Sequence, residues 1–352
     1  MTHVAIIGGG PAGLATAACL AEHRVPFTVL ERGDGAVRDG ADDGAFAALR
    51  TLDPETQLLT PRRLSRLPGM PIEGEEYARF GDLVTRLDAW RVARSLHVRR
   101  ADVQRVEQVR DGFVVHLDDG SVEATHVVNA TGVIGQPVLP TDFDPARYPR
   151  RWLHSRDVRT PDLAAAQRLV VVGAGTSAAE VIERWLDVRS PDSRAWLSTR
   201  RRVLAAPQHV LGIDIHYWLY VPELVPGRVL GRRLGPVRDL IIGRRLLHAL
   251  RNRAVVRVPA VARYDVTFRD GTRVEPDLLV LATGYRYGAA HLGALVDVDA
   301  QGHPIVDRHA ASTRTRNLYV LGGRFGRSIA SSTLRGIARD AAHVADRIAR
   351  PA

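Results

Sequence analysis

Two glycine-rich turns are the residues of this chain whose types and spacing most directly indicate chemistry. The first, "GGGPAG", places Gly8, Gly10 and Gly13 in the spacing G-x-G-x-x-G after an apolar run. The second, "GAGTSA", repeats the spacing with Gly173, Gly175 and an alanine in the third slot. The first glycine permits a tight turn, the second lets backbone approach a pyrophosphate, and the third lets helix and strand pack closely. Because the following helix offers unpaired N–H groups to phosphate, the pattern predicts two dinucleotide sites.

The strands that follow these turns end in side chains of opposite charge. "FTVLERG" ends in Glu31, whose carboxylate can accept hydrogen bonds from the diol of an adenosine ribose. "WLSTRRRVL" instead carries Arg200, Arg201 and Arg202, and guanidinium groups attract a ribose 2′-phosphate that a carboxylate would repel. We therefore predict FAD in the first site and NADPH in the second, with hydride passing from nicotinamide to flavin. Arg200 supports most of this interpretation, because Arg201 and Arg202 could equally belong to the general surface.

The elements that must position these residues form two copies of one pattern. Residues 4–31 and 169–200 each indicate strand, glycine turn, helix and strand, which is a βαβ unit with a parallel sheet. Each copy is followed by an Asp-Gly hairpin and an apolar strand ending in Ala-Thr-Gly, at 115–132 and 266–284. Shared order over this length predicts an α/β fold with two Rossmann-like, three-layer dinucleotide-binding domains.

We expect the NADPH-binding domain to be inserted in the FAD-binding domain. A Pro-rich stretch at 134–162 marks the first crossing between them, and sequence typical of a loop follows Gly284. The predicted FAD-binding domain spans 1–158 and 285–352, and the predicted NADPH-binding domain spans 159–284.

Composition excludes several classes of function. The 352 residues suffice for two domains with substantial cores. The net charge of +10 does not indicate a nucleic-acid partner, because every cation is arginine, as codon bias would produce, and no aromatic residues interleave with the densest basic stretch. No apolar run approaches the ~18 residues of a membrane span, and the N-terminus lacks signal-peptide features, so we expect a cytoplasmic protein. The single cysteine, Cys19, excludes a CxxC redox pair.

The order of these motifs resembles the flavin-containing monooxygenases, and within them a bacterial branch of short flavoproteins. The resemblance covers nearly the whole chain, through "GGGPAG", "TPRRLSRLPGMP", "NATG", "YPRRWLHSRDV", "GAGTSA", "STR", "LATGY", "NLYVLGG" and "LRGIARDAA". The family signature, F-x-G-x-x-x-H followed by three residues and an aromatic one, reads here Tyr148, Arg150, His154 and Val158. The glycine and the last aromatic residue are replaced, so the resemblance supports the family better than a subclass.

The resemblance implies an NADPH-dependent FAD monooxygenase. In this family NADPH reduces FAD, and O2 then gives a flavin C4a-hydroperoxide that oxygenates a small organic substrate at nitrogen, at sulfur or at a ketone. His154 is the one candidate general acid, and a loop histidine that holds the domain crossing is an equally good interpretation. Many relatives carry an asparagine near the flavin C4a where this chain has Leu59 or Thr60, and Thr60 could still donate a hydrogen bond there.

The motifs and the resemblance together imply one set of site residues. The candidate catalytic residues are Thr60 and His154, and no metal is expected. The expected cofactor-binding residues are Gly8, Gly10, Pro11, Ala12, Gly13, Glu31, Arg32, Val103, Thr131, Gly132, Gly173, Gly175, Thr176, Ser177, Arg200, Arg201, Thr283, Gly284 and Gly322. A substrate pocket is expected between the domains, walled by 36–72, part of 205–225 and 285–293. The aromatic residues Tyr217, Trp218 and Tyr220 could line it, although core packing is the commoner fate of such residues. The expected partners are a small-molecule substrate and O2, and a homodimer is left open.

Two other functions stay open at this point. An NADPH-dependent flavoprotein reductase resembling thioredoxin reductase would have the same domain order, and without CxxC it could still reduce a quinone, a ferredoxin or a small disulfide. A redox-sensing protein that binds FAD and NADPH without turnover is the other alternative. The family signature and the loop "TPRRLSRLPGMP" favour the monooxygenase.

Overall fold

Two parallel sheets form the framework of the computed structural model. It describes residues 2–33, 43–200, 203–219, 241–243, 245–264, 266–323, 326–328 and 330–350. The helices are α1 (Pro11–Glu22), α2 (Ala47–Arg50), α3 (Phe80–Val92), α4 (Thr160–Ala165), α5 (Thr176–Val188), α6 (Ile215–Trp218), α7 (Arg245–Arg251) and α8 (Leu334–Ala349), with 3-10 helices η1 (Arg62–Leu64) and η2 (Ala290–Leu295). The strands are β1 (Val4–Ile7), β2 (Phe27–Glu31), β3 (Arg99–Arg100), β4 (Val103–Val109), β5 (Gly112–Leu117), β6 (Gly120–Ala124), β7 (His126–Asn129), β8 (Trp152–His154), β9 (Arg168–Val172), β10 (Arg194–Ser198), β11 (Ala205–Ala206), β12 (His209–Val210), β13 (Ile213–Asp214), β14 (Ile241–Ile242), β15 (Val255–Val258), β16 (Val261–Arg263), β17 (Thr267–Phe268), β18 (Leu278–Leu281) and β19 (Leu318–Val320).

The first sheet has the parallel order β19-β7-β1-β2-β3. Its central strand β1 is buried at every residue, which matches the uninterrupted apolar run "VAII". Val4 and Ile6 face α1 and α8, whereas Ala5 and Ile7 face the antiparallel sheet β4-β5-β6. Helix α8 buries one stripe that includes Ile337, and its opposite face is polar. The three layers of the first unit therefore match the prediction.

The second sheet repeats the plan with the parallel order β15-β10-β9-β18-β8. Helix α5 covers one face, where Trp185 and Ile182 are fully buried. The other face packs on Phe143 and on Phe268 of β17. The predicted α/β class with two Rossmann-like units is confirmed.

The two crossings between the sheets run side by side. Pro137 pairs with Tyr285 in an isolated bridge, and the Val138 N–H donates to the Gly284 carbonyl at 3.0 Å. Strand β8 lies before the predicted boundary at residue 158, yet it pairs with β18 of the second sheet. The division into 1–158, 159–284 and 285–352 stays a proposal, and β8 belongs by its hydrogen bonds with the second unit.

The two predicted Asp-Gly hairpins differ in length. In the first, β5 and β6 pair from Phe113 to Gly120 around the expected turn. In the second, β17 pairs with β16, and across the turn Thr267 forms an isolated bridge with Arg273. Val266 precedes β17 with a φ of 65°, which interrupts the extended backbone that a longer strand needs.

A buried ion pair ties the loop after α2 to the helices of the second unit. The side chain of Asp53 is 3% exposed and pairs with Arg184 on α5. It also accepts the Thr160 N–H at 2.5 Å and the Thr160 hydroxyl at 2.9 Å. Burial opposes ionisation, but the bonds from Glu55, Thr160 and Arg184 hold the pKa of Asp53 below its usual value. The carboxylate is thus a fixed charge between the two units.

We predict that Asp53→Ala lowers the free energy of unfolding by about 3 kcal/mol, because it leaves the Arg184 guanidinium without its buried partner. The matched control is Asp187→Ala, which breaks an ion pair with Arg245 whose two side chains are 55% and 56% exposed. That control should cost less than about 1 kcal/mol. Chemical denaturation measures both, and equal losses would contradict a special role for the buried pair.

Candidate active site

The first glycine turn is shaped by close backbone contacts. Gly8 has a φ of 112°, and a Cβ there would lie 2.6 Å from the Ala130 carbonyl oxygen. A Cβ on Gly13 would overlap the Gly8 carbonyl oxygen. Beside Gly10, in contrast, no atom lies within 4 Å of the place a Cβ would take. The turn therefore requires glycine at two positions for packing and leaves open space at the third.

The N-terminus of α1 faces this open space. Its N-cap is Gly10, no side chain of the described residues caps it, and its first turn holds no acidic residue. Pro11 occupies the first helical position, where its missing N–H costs nothing, and Ala12 and Gly13 follow. Unpaired N–H groups and the helix dipole favour the binding of a phosphate group at a helix end of this kind.

Glu31, at the end of β2, is fixed on the same turn. One carboxylate oxygen accepts the Gly9 N–H at 2.7 Å, and the other accepts the Gly33 N–H at 3.1 Å. Burial raises the pKa of Glu31, while these two hydrogen bonds and Arg32 oppose that rise. Arg32 itself is exposed. Open space at Gly10, the helix end and the anchored carboxylate together fit the diphosphate and adenosine ribose of FAD.

The segment after β7 is held by a buried network that the sequence did not reveal. The Thr131 hydroxyl donates to the Gly288 carbonyl, and the Asn129 amide donates to the same oxygen at 3.1 Å. The Tyr287 hydroxyl donates to the Asn129 carbonyl at 3.1 Å. His291 lies 2.9 Å from the Asn129 amide oxygen, and burial lowers its pKa to about 4. Since these partners are more than 150 residues apart, no local pattern could show them.

The remaining residues predicted for the first site lie along the same edge of the first sheet. Gly132 has a φ of 64° with open space beside it, and its carbonyl accepts the Gly288 N–H at 2.9 Å. Gly322 approaches α1, since a Cβ on it would lie 3.4 Å from that of Ala12. Val103 begins β4, half-buried, two residues after the Ala101 N–H that donates to the Glu31 carbonyl at 2.9 Å. Their contacts with a cofactor stay predictions.

The second glycine turn repeats the geometry of the first. Gly173 has a φ of 146°, and a Cβ there would overlap the Ala282 carbonyl. Gly175 is the N-cap of α5, and the first turn of that helix, with Thr176 and Ser177, has neither a side-chain cap among the described residues nor an acid. One turn later Glu180, which the sequence reasoning missed, has its pKa raised to about 7, first by burial.

A pocket of arginines lies at the end of the strand that follows this turn. It has a volume of about 460 Å³ and is lined by Thr199, Arg200, Arg257, Val258, Pro259, Ala260 and Arg269. β10 ends at Ser198, so Arg200 stands two residues beyond it. The Arg257 guanidinium donates to the Thr199 hydroxyl at 2.9 Å. Three guanidinium groups around one cavity fit a phosphate dianion.

The sequence did not predict two members of this arginine pocket, and three residues that it did single out lie outside the described residues. Arg257 lies on β15, which pairs with β10 so that Arg257 stands beside Leu197. Arg269 follows β17, more than sixty residues from Arg200 along the chain. Only knowledge of the strand order would have found them. Arg201 and Arg202 lie outside the described residues, as does Tyr220.

His154 is held within the crossing between the sheets. It is 2% exposed, its Nε2 lies 3.2 Å from the Gly284 carbonyl, and its Nδ1 accepts the Arg156 N–H at 3.2 Å. Burial lowers its pKa, so the ring is neutral. Thr283, whose hydroxyl donates to the Val138 carbonyl at 2.5 Å, fastens the same crossing. With both ring nitrogens engaged, the geometry supports the structural interpretation of His154 over the catalytic one.

Thr60 lies in the loop that enters η1. Its carbonyl accepts the Ser65 hydroxyl at 3.0 Å, and the neighbouring Leu59 carbonyl accepts the Gln208 amide at 2.9 Å. The backbone is thereby anchored while the Thr60 side chain is half-exposed. Its predicted place near a flavin stays a prediction.

Comparison with known proteins shows the family to which the chain belongs. Residues 2–333 match the family described as pyridine nucleotide-disulphide oxidoreductase, and the chain belongs to this family. It is an oxidoreductase of the flavin-dependent type, as the sequence predicted. In the described part of the chain, no helix combines the length and apolar character that crossing a membrane requires.

Two of the similar proteins are monooxygenases by name. An indole-3-pyruvate monooxygenase of Oryza sativa subsp. japonica, YUCCA1, is 27% identical over 320 residues, covering 80% of this chain and 76% of its own. A flavin monooxygenase from Stenotrophomonas maltophilia, solved as a double mutant, is 25% identical with a TM-score of 0.76, covering 100% of this chain and 99% of its own. The resemblance to flavin-containing monooxygenases is confirmed.

Two more distant structures show the fold alone. The Kutzneria sp. 744 ornithine N-hydroxylase, solved with FADred, NADP+ and L-orn, is 17% identical with a TM-score of 0.71, covering 99% of each chain. Bacillithiol disulfide reductase Bdr from Bacillus cereus is also 17% identical with a TM-score of 0.71, covering 99% of this chain and 98% of its own. The predicted cofactors, FAD and NADPH, agree with the flavin monooxygenases among the structural neighbours. Monooxygenases and a reductase share this fold, so the fold does not separate them.

We predict opposite results for two alanine substitutions in the first turn. Gly10→Ala should cost no more than about 1 kcal/mol of stability in the apoprotein, because its Cβ enters open space, but it should weaken FAD binding at least roughly tenfold. Gly13→Ala should destabilise the apoprotein itself by about 3 kcal/mol, because its Cβ meets the Gly8 carbonyl. Thermal unfolding and FAD titration measure the two effects, and an unchanged FAD affinity in Gly10→Ala would contradict the placement of the diphosphate.

Proposed function

We propose that this chain is an NADPH-dependent FAD monooxygenase. It reduces FAD with NADPH and uses O2, through a flavin C4a-hydroperoxide, to oxygenate a small organic substrate at nitrogen, at sulfur or at a ketone. The observation that carries the proposal is the contrast between Glu31 at the first turn and the arginine pocket at the second. The step from flavoprotein to monooxygenase is supported by the relatives that are 25% and 27% identical.

The first unit would hold FAD. Its diphosphate would lie at the N-terminus of α1 beside Gly10, and Glu31 would accept hydrogen bonds from the adenosine ribose. Bound there, the flavin supplies hydride acceptance and oxygen activation. The buried network of Asn129, Tyr287 and His291 would keep the flavin-side backbone rigid and exclude water from it.

The second unit would hold NADPH. Its diphosphate would lie at the N-terminus of α5, and Arg200, Arg257 and Arg269 would bind the 2′-phosphate. The described lining of this pocket contains no carboxylate that would repel this charge in the way that Glu31 would. In this proposal Arg257 and Arg269 join Arg200, a residue that the sequence alone had singled out.

The predicted small-molecule substrate and O2 follow from the proposed reaction, and a cytoplasmic location remains part of the proposal. We retain Thr60 as a candidate hydrogen-bond donor near the flavin. A reductase of thioredoxin-reductase-like architecture is the remaining alternative, because the fold shared with bacillithiol disulfide reductase extends over nearly the whole chain.

Anaerobic reduction by NADPH, followed by mixing with oxygenated buffer, tests the function. The proposal predicts bleaching of the flavin and then an absorbing C4a-hydroperoxide that lasts for seconds and decays faster when substrate is present. Immediate reoxidation with release of hydrogen peroxide would indicate the reductase. A flavin that NADPH cannot bleach would indicate the binding protein without turnover.

We predict that Arg200→Ala and Arg257→Ala each raise the KM for NADPH roughly tenfold or more, because each removes one charge-assisted bond to phosphate. The KM for NADH should change less than about twofold, since NADH lacks that phosphate. Arg194→Ala is the matched control, because this exposed arginine begins β10 at the opposite end of the strand. Equal effects on both nucleotides would refute the phosphate-binding role.

A further inference from the structure

A second cluster of titratable side chains lies apart from both glycine turns, around buried Asp214. One carboxylate oxygen is 2.8 Å from both the backbone nitrogen and the ring Nδ1 of His216. The other accepts the Tyr77 hydroxyl at 2.7 Å and the Gln208 amide. Burial opposes ionisation, but these hydrogen bonds hold the pKa of Asp214 below its usual value. Asp214 is therefore an ionised carboxylate with four donors.

The carboxylate fixes the tautomer of His216. An ionised carboxylate only accepts hydrogen bonds, so Nδ1 of His216 must carry the ring proton. Burial lowers the pKa of His216, with Arg335 adding to the effect and Asp214 opposing it, and the ring is neutral near pH 7. In a neutral ring with the proton on Nδ1, the other nitrogen, Nε2, carries a lone pair.

Nε2 is the nitrogen that remains for a ligand. Among the described residues, the hydrogen bonds of His216 run through its backbone and Nδ1. Its side chain keeps 11% of its surface exposed, whereas that of Asp214 keeps 1%. A proton acceptor of fixed orientation with an open edge is the arrangement that general-base catalysis requires.

The cluster lies against the first unit although it follows β10 of the second sheet. The Gln208 amide donates to the Leu59 carbonyl at 2.9 Å, directly before Thr60. Tyr77 reaches Asp214 from the loop before α3. The charge of Arg335, in the first turn of α8, acts on His216. Gln208 thus fastens residues 205–218, a segment expected to wall the substrate pocket, to the loop that the resemblance places near the flavin.

Other charged or titratable groups around the pair are few within the described residues. His209 is exposed, and its Nε2 lies 3.3 Å from the Tyr77 hydroxyl. Burial, and after it the hydrogen bond to Asp214, raises the pKa of Tyr77, so Tyr77 stays neutral. Arg335 is the cation that acts on the ring. Asp214 therefore supplies the negative charge that would stabilise a protonated His216.

We propose that His216 is a catalytic proton acceptor for a substrate that arrives as an ammonium ion, and that Asp214 is its positioning residue. The proposal rests on the proposed function and assigns an amine as the substrate class. An N–H bond of the ammonium breaks, its electron pair stays on nitrogen as the lone pair that N-oxygenation needs, and the proton forms a bond to Nε2. The imidazolium, stabilised by Asp214, then passes this proton to solvent, so no group is oxidised or reduced in this step.

A matched pair of probes tests the base. N,N-dimethylbenzylamine is protonated at neutral pH, whereas benzyl methyl sulfide has a similar shape and no proton to lose. In His216→Asn, oxygenation of the amine at pH 7 should fall roughly 100-fold or more, while oxygenation of the sulfide and anaerobic flavin reduction by NADPH keep their wild-type rates. The amine rate should recover as the pH approaches the pKa of the amine itself. His248→Asn, at an exposed histidine of α7 outside this cluster, is the control and should change neither rate.

If His216→Asn lowered the oxygenation rates of both probes equally, the role of His216 would be structural and the proposal would be overturned. An unchanged pH profile for oxygenation of the amine would overturn it as well. A wild-type protein that reduces its flavin but oxygenates neither probe contradicts the proposed function instead. A second measurement tests the pair without turnover. Nitrogen-15 spectra of labelled protein should show neutral His216 with its proton on Nδ1, and Asp214→Asn should abolish that preference. A proton on Nε2 in the wild type would overturn the proposal.

Discussion

The close contact between α1 and the turn after β1 is the constraint on which the first site depends. A side chain at Gly13 would overlap the Gly8 carbonyl, and one at Gly8 would meet Ala130. Helix, strand and the neighbouring β7 can therefore approach only through glycine, and this approach aims the helix end at the space beside Gly10. The same contact recurs where Gly173 meets Ala282 in the second unit. Each proposed phosphate site thus follows from the way a helix packs on a strand through glycine.

The parallel order of each sheet then brings distant residues to one edge. In the first unit Glu31 ends β2 and Asn129 ends β7, and both strands pair with β1. The carboxylate and the buried amide network therefore lie on either side of the glycine turn after β1. In the second unit β10 and β15 pair, which sets Arg257 beside the strand that leads to Arg200. Because the backbone geometry of the two units is alike, the difference between them lies in the charge at the strand ends.

The sequence predicted what is encoded locally and missed what arises from long-range pairing. Glycine spacing and the apolar run "VAII" were enough to predict the first βαβ unit, and Glu31 followed from its position at the strand end. The pairing of β8 with the second sheet could not be predicted, because a strand of three residues carries no sign of its partner. Arg257, Arg269 and His291 were missed since their neighbours lie far away along the chain.

In the proposed function, the charge at the strand ends assigns the two cofactors. This assignment is tested most directly by titrating FAD-loaded protein with 2′,5′-ADP and with 5′-AMP, which differ in the 2′-phosphate alone. We expect 2′,5′-ADP to bind roughly 100-fold more tightly than 5′-AMP, and added salt to reduce this preference. Equal affinity for the two nucleotides would contradict the assignment of the arginine pocket to NADPH.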